Sequence, residues 1–316
     1  MPKNDKKVLV VGGAGYIGGA VTDALLAQKI PFTVYDNLLY EERFLKPVDF
    51  IFGDVRDAER LAKILPNYSH VIWLAAIVGD GACAIYPEAA VEINELSVKW
   101  LTENFNGRII FISTCSVYGH NAKEVDETCE PAPLSLYAMT KANAEKYLAK
   151  KNALILRLGT AFGLSDTYSR PRFDLLVNTL AANAATKGKI MVFGGSQWRP
   201  NIHVGDIADM VVAGLGSAHR GIYNAATQNF TVEEIAKIIV EITGCELRYA
   251  NQLREDQRDY RVSFTKALKD GLLHLPTKRD IKYGATEFYN LVKSGRIKDA
   301  GHSRYSNVKH LSQSGI

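Results

Sequence analysis

The run Gly12-Gly13-Ala14-Gly15-Tyr16-Ile17-Gly18 follows a short apolar segment, Val8–Val11, and leads into a stretch with helical spacing over 18–28. Glycines at 12, 15 and 18 permit a tight turn, close helix–strand packing and a close approach of backbone to a ligand. A strand that enters a helix through such a turn aims the unpaired N–H groups of the first helical turn at one point, which suits a phosphate. The first gap is one residue longer than in the G-x-G-x-x-G fingerprint, but the physics is the same. A chain that begins this way is committed to a strand–helix–strand unit, and the following pattern agrees. Short apolar runs recur at 32–35, 50–52, 71–74, 109–112 and 154–158, with helical stretches between them, notably 88–103 and 137–149. Strands that read apolar throughout and are joined by helices predict an α/β fold with a doubly wound parallel sheet covered on both faces.

Asp36 ends the second predicted strand, 18 residues after Gly18. A carboxylate there accepts hydrogen bonds from an adenosine ribose and repels a 2′-phosphate. With no arginine immediately after it, the pattern favours NAD over NADP. Asp54, in Gly53-Asp54-Val55 after the third strand, either meets the adenine or caps a helix over 56–65. Tyr137 and Lys141 stand four apart, a little over one helical turn, so both project from one face. A phenol has a reference pKa near 10 and is a poor base at neutral pH. A cation held beside it favours the phenolate and makes it a usable acid/base.

After about residue 164 the pattern changes. The segment 164–172 is polar without a clear period and reads as a loop over a cleft. Helical stretches follow at 173–187, 206–218 and 231–243, with a strand at 190–193. The expected organisation is a dinucleotide-binding domain over 1–164 and a mainly substrate-binding α/β lobe over 165–301, from which some segments return to the first domain. A polar tail over 302–316 has little to bury and is expected to be partly disordered.

Composition excludes several classes. The net charge of +4 arises from 38 basic and 34 acidic residues, and no basic run with interleaved aromatics points to nucleic acid. The short clusters at 3–7 and 278–282 read as solvated surface. The four cysteines, Cys83, Cys115, Cys129 and Cys245, have no metal-ligand spacing, so no metal is expected and a reduced compartment fits. No apolar run reaches membrane-spanning length, and Met1–Asp5 carries no apolar signal segment. A cytoplasmic protein is the expectation.

Taken in order along the chain, these pieces resemble the extended short-chain dehydrogenase/reductase family, in its nucleotide-sugar epimerase/dehydratase branch. The resemblance rests on the 12–18 turn, Asp36-Asn37-Leu38, Gly53-Asp54-Val55, Leu74-Ala75-Ala76, Asn94, the run from Ser113 through Thr114, Cys115 and Ser116 to Gly119, and Tyr137-x-x-x-Lys141. Arg199-Pro200-Asn201-Ile202-His203-Val204 and Arg258-Asp259-Tyr260 extend it into the second half. It implies a Rossmann-type sheet with a smaller C-terminal lobe, and NAD as cofactor. Gly12, Gly15, Tyr16, Ile17, Gly18, Asp36, Asn37, Asp54, Val55, Leu74, Ala75, Ala76 and Asn94 would lie along the cofactor. Thr114 and Tyr137 would contact the oxidised sugar hydroxyl, and Lys141 would hold the nicotinamide ribose and lower the tyrosine pKa. Arg199, Arg258 and Asn178 match contacts to the substrate diphosphate, whereas Arg172 reads as surface charge. A homodimer through helices near 88–103 and 137–150 is also implied.

The same resemblance narrows the reaction. Related 4,6-dehydratases carry Asp-Glu directly after this threonine; here the positions hold Cys115 and Ser116, which disfavours dehydration. What remains is chemistry needing one hydride and one proton: 4-epimerisation by transient oxidation at C4, or net 4-dehydrogenation or 4-keto reduction with the same residues. A further route, 3,5-epimerisation, would use Cys115 as acid/base with His203 or Cys83 as partner. Many 4-epimerases also carry an asparagine in the loop after Arg157, where this chain has Gly159-Thr160-Ala161. That difference speaks against UDP-galactose and leaves the base open.

Overall fold

The computed structural model describes residues 7–250 and 258–314; the N-terminal residues Met1–Asp5 and most of the 3–7 cluster lie outside these. Its centre is a sheet of seven strands in the spatial order Gly221–Ala225, Ala153–Leu158, Arg108–Thr114, His70–Trp73, Val8–Val11, Phe32–Asp36 and Asp49–Phe52. Every neighbouring pair is parallel. The central strands are buried along their whole length, as expected where helices cover both faces. Side-chain alternation divides the core in two. Leu9, Val11, Val71, Trp73, Ile109 and Phe111 pack with Val98, Leu101, Ala144 and Leu148 on one face. Val8, Val10, Ile72, Ile110 and Leu154 pack with Val21, Leu25, Ile207 and Val211 on the other.

The chain leaves Val8–Val11 toward one edge and returns at His70–Trp73 on the opposite side, so the strand order reverses between these two. The crevice beyond their carboxyl ends is where open α/β sheets bind ligands. The 12–18 turn and Leu74-Ala75-Ala76 both open onto it.

Two elements from the second half of the chain return to the first domain. The helix Val204–Gly216 and the strand Gly221–Ala225, assigned mainly to the second lobe, belong to the first domain's core and sheet. Gly214 allows the helix to lie close: a Cβ there would stand 2.5 Å from Leu154 Cδ2. The remaining lobe packs the helices Leu176–Lys187, Val232–Thr243 and Ile281–Lys293 around Val177, Ile235, Ile239 and Phe288. Three small sheets are described beside the main one: Thr160–Phe162 with Trp198–His203 and Gln228–Thr231, Lys189–Phe193 with Glu246–Ala250, and His120–Val125 with Asp259–Val262.

The polar tail is also ordered rather than disordered. It forms the helix Asn307–Ser314, with Asn307 and Leu311 buried. One apolar anchor and one buried amide hold it. Asn307 Nδ2 donates to the Val78 carbonyl at 3.1 Å, and its backbone N–H donates to Asp174 Oδ2 at 2.7 Å.

Candidate active site

A single cavity of about 1550 Å³ runs from the carboxyl ends of the sheet to the smaller lobe. Pockets for one drug-sized ligand measure roughly 300–1,000 Å³, so this one has room for a dinucleotide and a second ligand. Its first wall is the glycine turn. Gly12 has φ +83°, and a Cβ there would sit 2.5 Å from Ala75 N; at Gly18 it would meet Gly12 O at 2.5 Å. These two glycines make close packing possible. Gly15 serves otherwise, because a Cβ there would have only Gly12 O near it, at 3.6 Å, and the position faces the cavity. Tyr16 and Ile17 continue this wall. Beside it, the Asp36 carboxylate accepts from Ala14 N at 3.0 Å and from Leu38 N at 2.7 Å. Burial pushes its carboxyl up against these N–H bonds. Asn37, Val55, Leu74, Ala75 and Ala76 complete this end. An open glycine, helix N–H groups and a fixed carboxylate fit an NAD pyrophosphate and ribose.

The second wall comes from the helix Leu136–Leu148, capped by Ser135, whose Oγ accepts from Ala138 N and donates to Asp80 Oδ1. Tyr137, Lys141 and Thr114 all line the cavity. The Lys141 ammonium donates to the Ile112 carbonyl at 2.8 Å and lies 4.6 Å over the Phe111 ring. Burial lowers its pKa to about 8. The expected pull on Tyr137 is outweighed, since burial, with Cys83 and Asp80, pushes the phenol up, against Arg172 and Thr114. Thr114 Oγ1 accepts from Ser116 N and donates to Ser116 Oγ, both at 3.1 Å.

At the third wall, Arg199 and Arg258 line the cavity as the sequence predicts. Arg199 Nη1 donates to the Trp198 and Arg258 carbonyls, and Arg258 lies 3.7 Å from Asp80. Arg172 is not surface charge. It is buried, lines the cavity and donates through Nε to Asp174 Oδ1 at 2.6 Å. The tail supplies Ser306, Asn307, Val308 and Lys309 to the same wall.

Several residues named from the sequence do not reach the cavity wall. The Cys115 thiol is fully buried behind it and donates to the Arg157 carbonyl at 3.1 Å; burial pushes its pKa up. Its intended partners, His203 and Cys83, do not line the cavity either. His203 accepts from Gly205 N through Nδ1, which leaves Nε2 to donate to Glu287. Cys83 donates to the Ile77 carbonyl, and burial pushes it up to about 12. Asn178 is fully buried and spends its amide on backbone, accepting from Gly163 N and donating to Arg172 O. Asn94, in a π-helical turn over Glu92–Leu96, clamps Ile77 through both its N–H and its carbonyl, so it shapes the loop after Trp73 from behind. Asp54 neither caps a helix nor joins the wall. Asn37 Nδ2 and Arg56 donate to it, and the helix Ala58–Ile64 is capped by Asp57. Glycine at 159 is enforced locally, because a Cβ would stand 2.9 Å from the Pro200 carbonyl.

A glycine turn, a ribose carboxylate, and a tyrosine and lysine at the far end of one cavity define a dinucleotide-dependent enzyme of the hydride-transfer type. The chain matches the model of the NAD dependent epimerase/dehydratase family over residues 8–226, and it belongs to that family; its cofactor is NAD. It is 27% identical over 314 residues to the uncharacterized UDP-glucose epimerase YtcB of Bacillus subtilis, covering 89% of this chain and 96% of that one. It is 29% identical over 231 residues to the UDP-glucose 4-epimerase of Rhizobium meliloti, covering 65% and 70%. The crystal structure of Thermus thermophilus UDP-glucose 4-epimerase in complex with NAD superposes with a TM-score of 0.76 at 26% identity, covering 89% of this chain and 98% of that one. Among the described residues, no helix is long and apolar enough to cross a membrane, and no group of three or more His, Cys, Asp or Glu is placed to hold a metal ion.

The buried Lys141 makes a pH prediction. Its folded pKa of about 8 lies below the ordinary 10.5, so the unfolded chain binds the extra proton between these values. Stability is therefore penalised below pH 8 and recovers as pH rises toward 10.5. Relative to a Lys141→Met variant, the parent should gain about 3 kcal/mol over this window. Urea unfolding at pH 7 and pH 10 measures it; a constant gap between the two proteins would contradict the assignment.

Proposed function

We propose that the protein is an NAD-dependent nucleotide-sugar 4-epimerase that oxidises C4 of the sugar transiently and reduces it again on the other face. The observation that carries this reading is the joining of Tyr137, Lys141 and Thr114 to the glycine turn at one end of the cavity and to Arg199 and Arg258 at the other. Two guanidinium forks suit a diphosphate, and relatives and structural neighbours include UDP-glucose 4-epimerases, so UDP-sugars are the first substrates to try.

In this reading Thr114 and Tyr137 hold the C4 hydroxyl, and Tyr137 takes its proton and later returns it. NAD, when bound, supplies the hydride carrier and, in its oxidised form, a positive ring that favours the phenolate. Lys141, fixed between Ile112 O and the Phe111 ring, holds the cofactor ribose. Ser116, whose Oγ lies 3.4 Å from Tyr260 OH, occupies a position where a dehydratase needs a carboxylic acid, and a hydroxyl is a poor general acid. Buried Cys115 offers no replacement, which counts against both dehydration and 3,5-epimerisation. Net dehydrogenation or keto reduction uses the same residues and differs in whether the reduced cofactor stays bound.

The reading includes a homodimer through the helices near 88–103 and 137–150, supported by the exposure of Leu96 and Met139 there. Light scattering should give twice the chain mass; a monomer at micromolar concentration counts against the dimer. For catalysis, Tyr137→Phe should bind NADH as the parent does and lose about 10²–10⁴-fold in turnover of UDP-sugars. Retained turnover would refute Tyr137 as the base.

A further inference from the structure

The segment from Arg170 to Asp174 crosses the cavity and is tied down on three sides. Toward the glycine turn, the Arg172 carbonyl accepts from Asn178 Nδ2, Asn178 Oδ1 accepts from Gly163 N, and the Gly163 carbonyl accepts from the Tyr16 hydroxyl at 2.7 Å. Tyr16 is the first residue of the helix that the turn opens. Toward the Asp36 loop, Arg170 N donates to Glu41 Oε1 at 2.8 Å, and its guanidinium lies 4.7 Å over the Tyr40 ring. Toward the tail, Arg170 Nη2 donates to Asn307 Oδ1 at 2.5 Å and Asp174 Oδ2 accepts from Asn307 N. Arg172 is thus held between the two structures that bracket a bound dinucleotide, the helix N-terminus after the glycine turn and the loop after Asp36.

Two side chains in this wall keep unused hydrogen-bonding groups among the described residues. The Tyr40 hydroxyl is buried with no hydrogen bond among the described residues. Arg172 is 9% exposed, and Nε–H to Asp174 is the hydrogen bond it makes through its guanidinium among the described residues. Its two terminal nitrogens therefore keep their donors for the cavity that the side chain lines. A buried guanidinium fork and a phenol with unused hydrogen-bonding groups call for a ligand that brings several acceptor oxygens. A diphosphate has that chemistry, and both the cofactor and a sugar nucleotide carry one. The tethers to Tyr16 and to the Asp36 loop favour the cofactor.

We propose that Arg172 and Tyr40 form a second phosphate-binding wall facing the glycine turn, that they take the pyrophosphate of the dinucleotide, and that the carboxy-terminal helix, through Asn307, holds Arg172 there and so retains the cofactor. The proposal rests on the NAD requirement of the family. Its consequence deepens the epimerase reading, since hydride can return to the sugar within the same active site only if the reduced cofactor stays.

The test uses the full chain, titrated with NADH by fluorescence and separately with UDP by calorimetry. Arg172→Met should weaken NADH about tenfold or more, Asn307→Ala by a smaller factor, and Tyr40→Phe about two- to tenfold. UDP affinity should stay within about twofold of the parent, and Arg172→Lys should recover part of the NADH affinity. Tyr40→Phe removes only a hydroxyl with no hydrogen-bond partner among the described residues, so it remains decisive if Arg172→Met does not fold. Unchanged NADH binding in folded Arg172→Met and Tyr40→Phe overturns the proposal. So does a loss of UDP affinity with NADH affinity kept, which would assign the wall to the sugar nucleotide. Loss at Arg172 without loss at Asn307 overturns the role of the Asn307 side chain, which bonds Arg170 and Val78. Both titrations are read without turnover, so their failure is distinct from failure of the epimerase reading.

Discussion

Three backbone segments meet where no side chain can stand. The Gly12 N–H donates to the Tyr35 carbonyl at 2.8 Å, Leu74 and Ala75 both donate to Val11 O, and a Cβ at Gly12 would stand 2.5 Å from Ala75 N. At Gly18 it would run into Gly12 and Gly13. This contact locks the ends of the three strands Val8–Val11, Phe32–Asp36 and His70–Trp73 to the start of the helix Tyr16–Ala27. It fixes the crevice at the point where strand order reverses. Asp36 then lies beside the turn because its strand is the next neighbour, and Thr114 and Lys141 follow from the strands and helix on the other side. A side chain at 12 or 18 would separate these segments and disperse the site.

Burial governs the chemistry at the far end. It pushes Tyr137 toward the protonated form and Lys141 toward the neutral one, each away from the state that a phenolate–ammonium pair requires. The fold tolerates the lysine because Ile112 O and the Phe111 ring face its ammonium. The tyrosine is prepared rather than activated, and its basicity depends on charge that arrives with the ligands. Such a site holds its proton until cofactor and sugar are both in place.

Much of this was legible in the sequence, and the failures have physical causes. Apolar runs marked six of the seven parallel strands, most plainly the central ones, because a strand buried on both faces has no polar positions to blur it. Gly221–Ala225 was missed: its apolar run is short, and position along the chain says nothing about which core a segment joins. Glycine spacing, Asp36, Thr114, Tyr137 and Lys141 were legible as residues that line the cavity, because backbone geometry and proton chemistry restrict which residues suit such a site. Asn94, Asn178 and Asp54 were not, since an amide or carboxylate that braces backbone looks the same in sequence as one that touches ligand. Arg172 and the tail were missed for the converse reason. A helix anchored by Leu311 and the hydrogen bonds of Asn307 carries almost no apolar period, and an arginine beside an aspartate reads as surface until its burial is known.

In the proposed reaction one hydride leaves C4 and returns to C4, with Tyr137 moving the only proton. A UDP-sugar carrying deuterium at C4 examines that claim directly, with products followed by NMR in ordinary water. The expected result is the C4 epimer with deuterium still on C4 and none lost to solvent. Deuterium missing from C4 in the epimer, or exchange at C3 or C5 when the reaction is run in deuterated water, would contradict it.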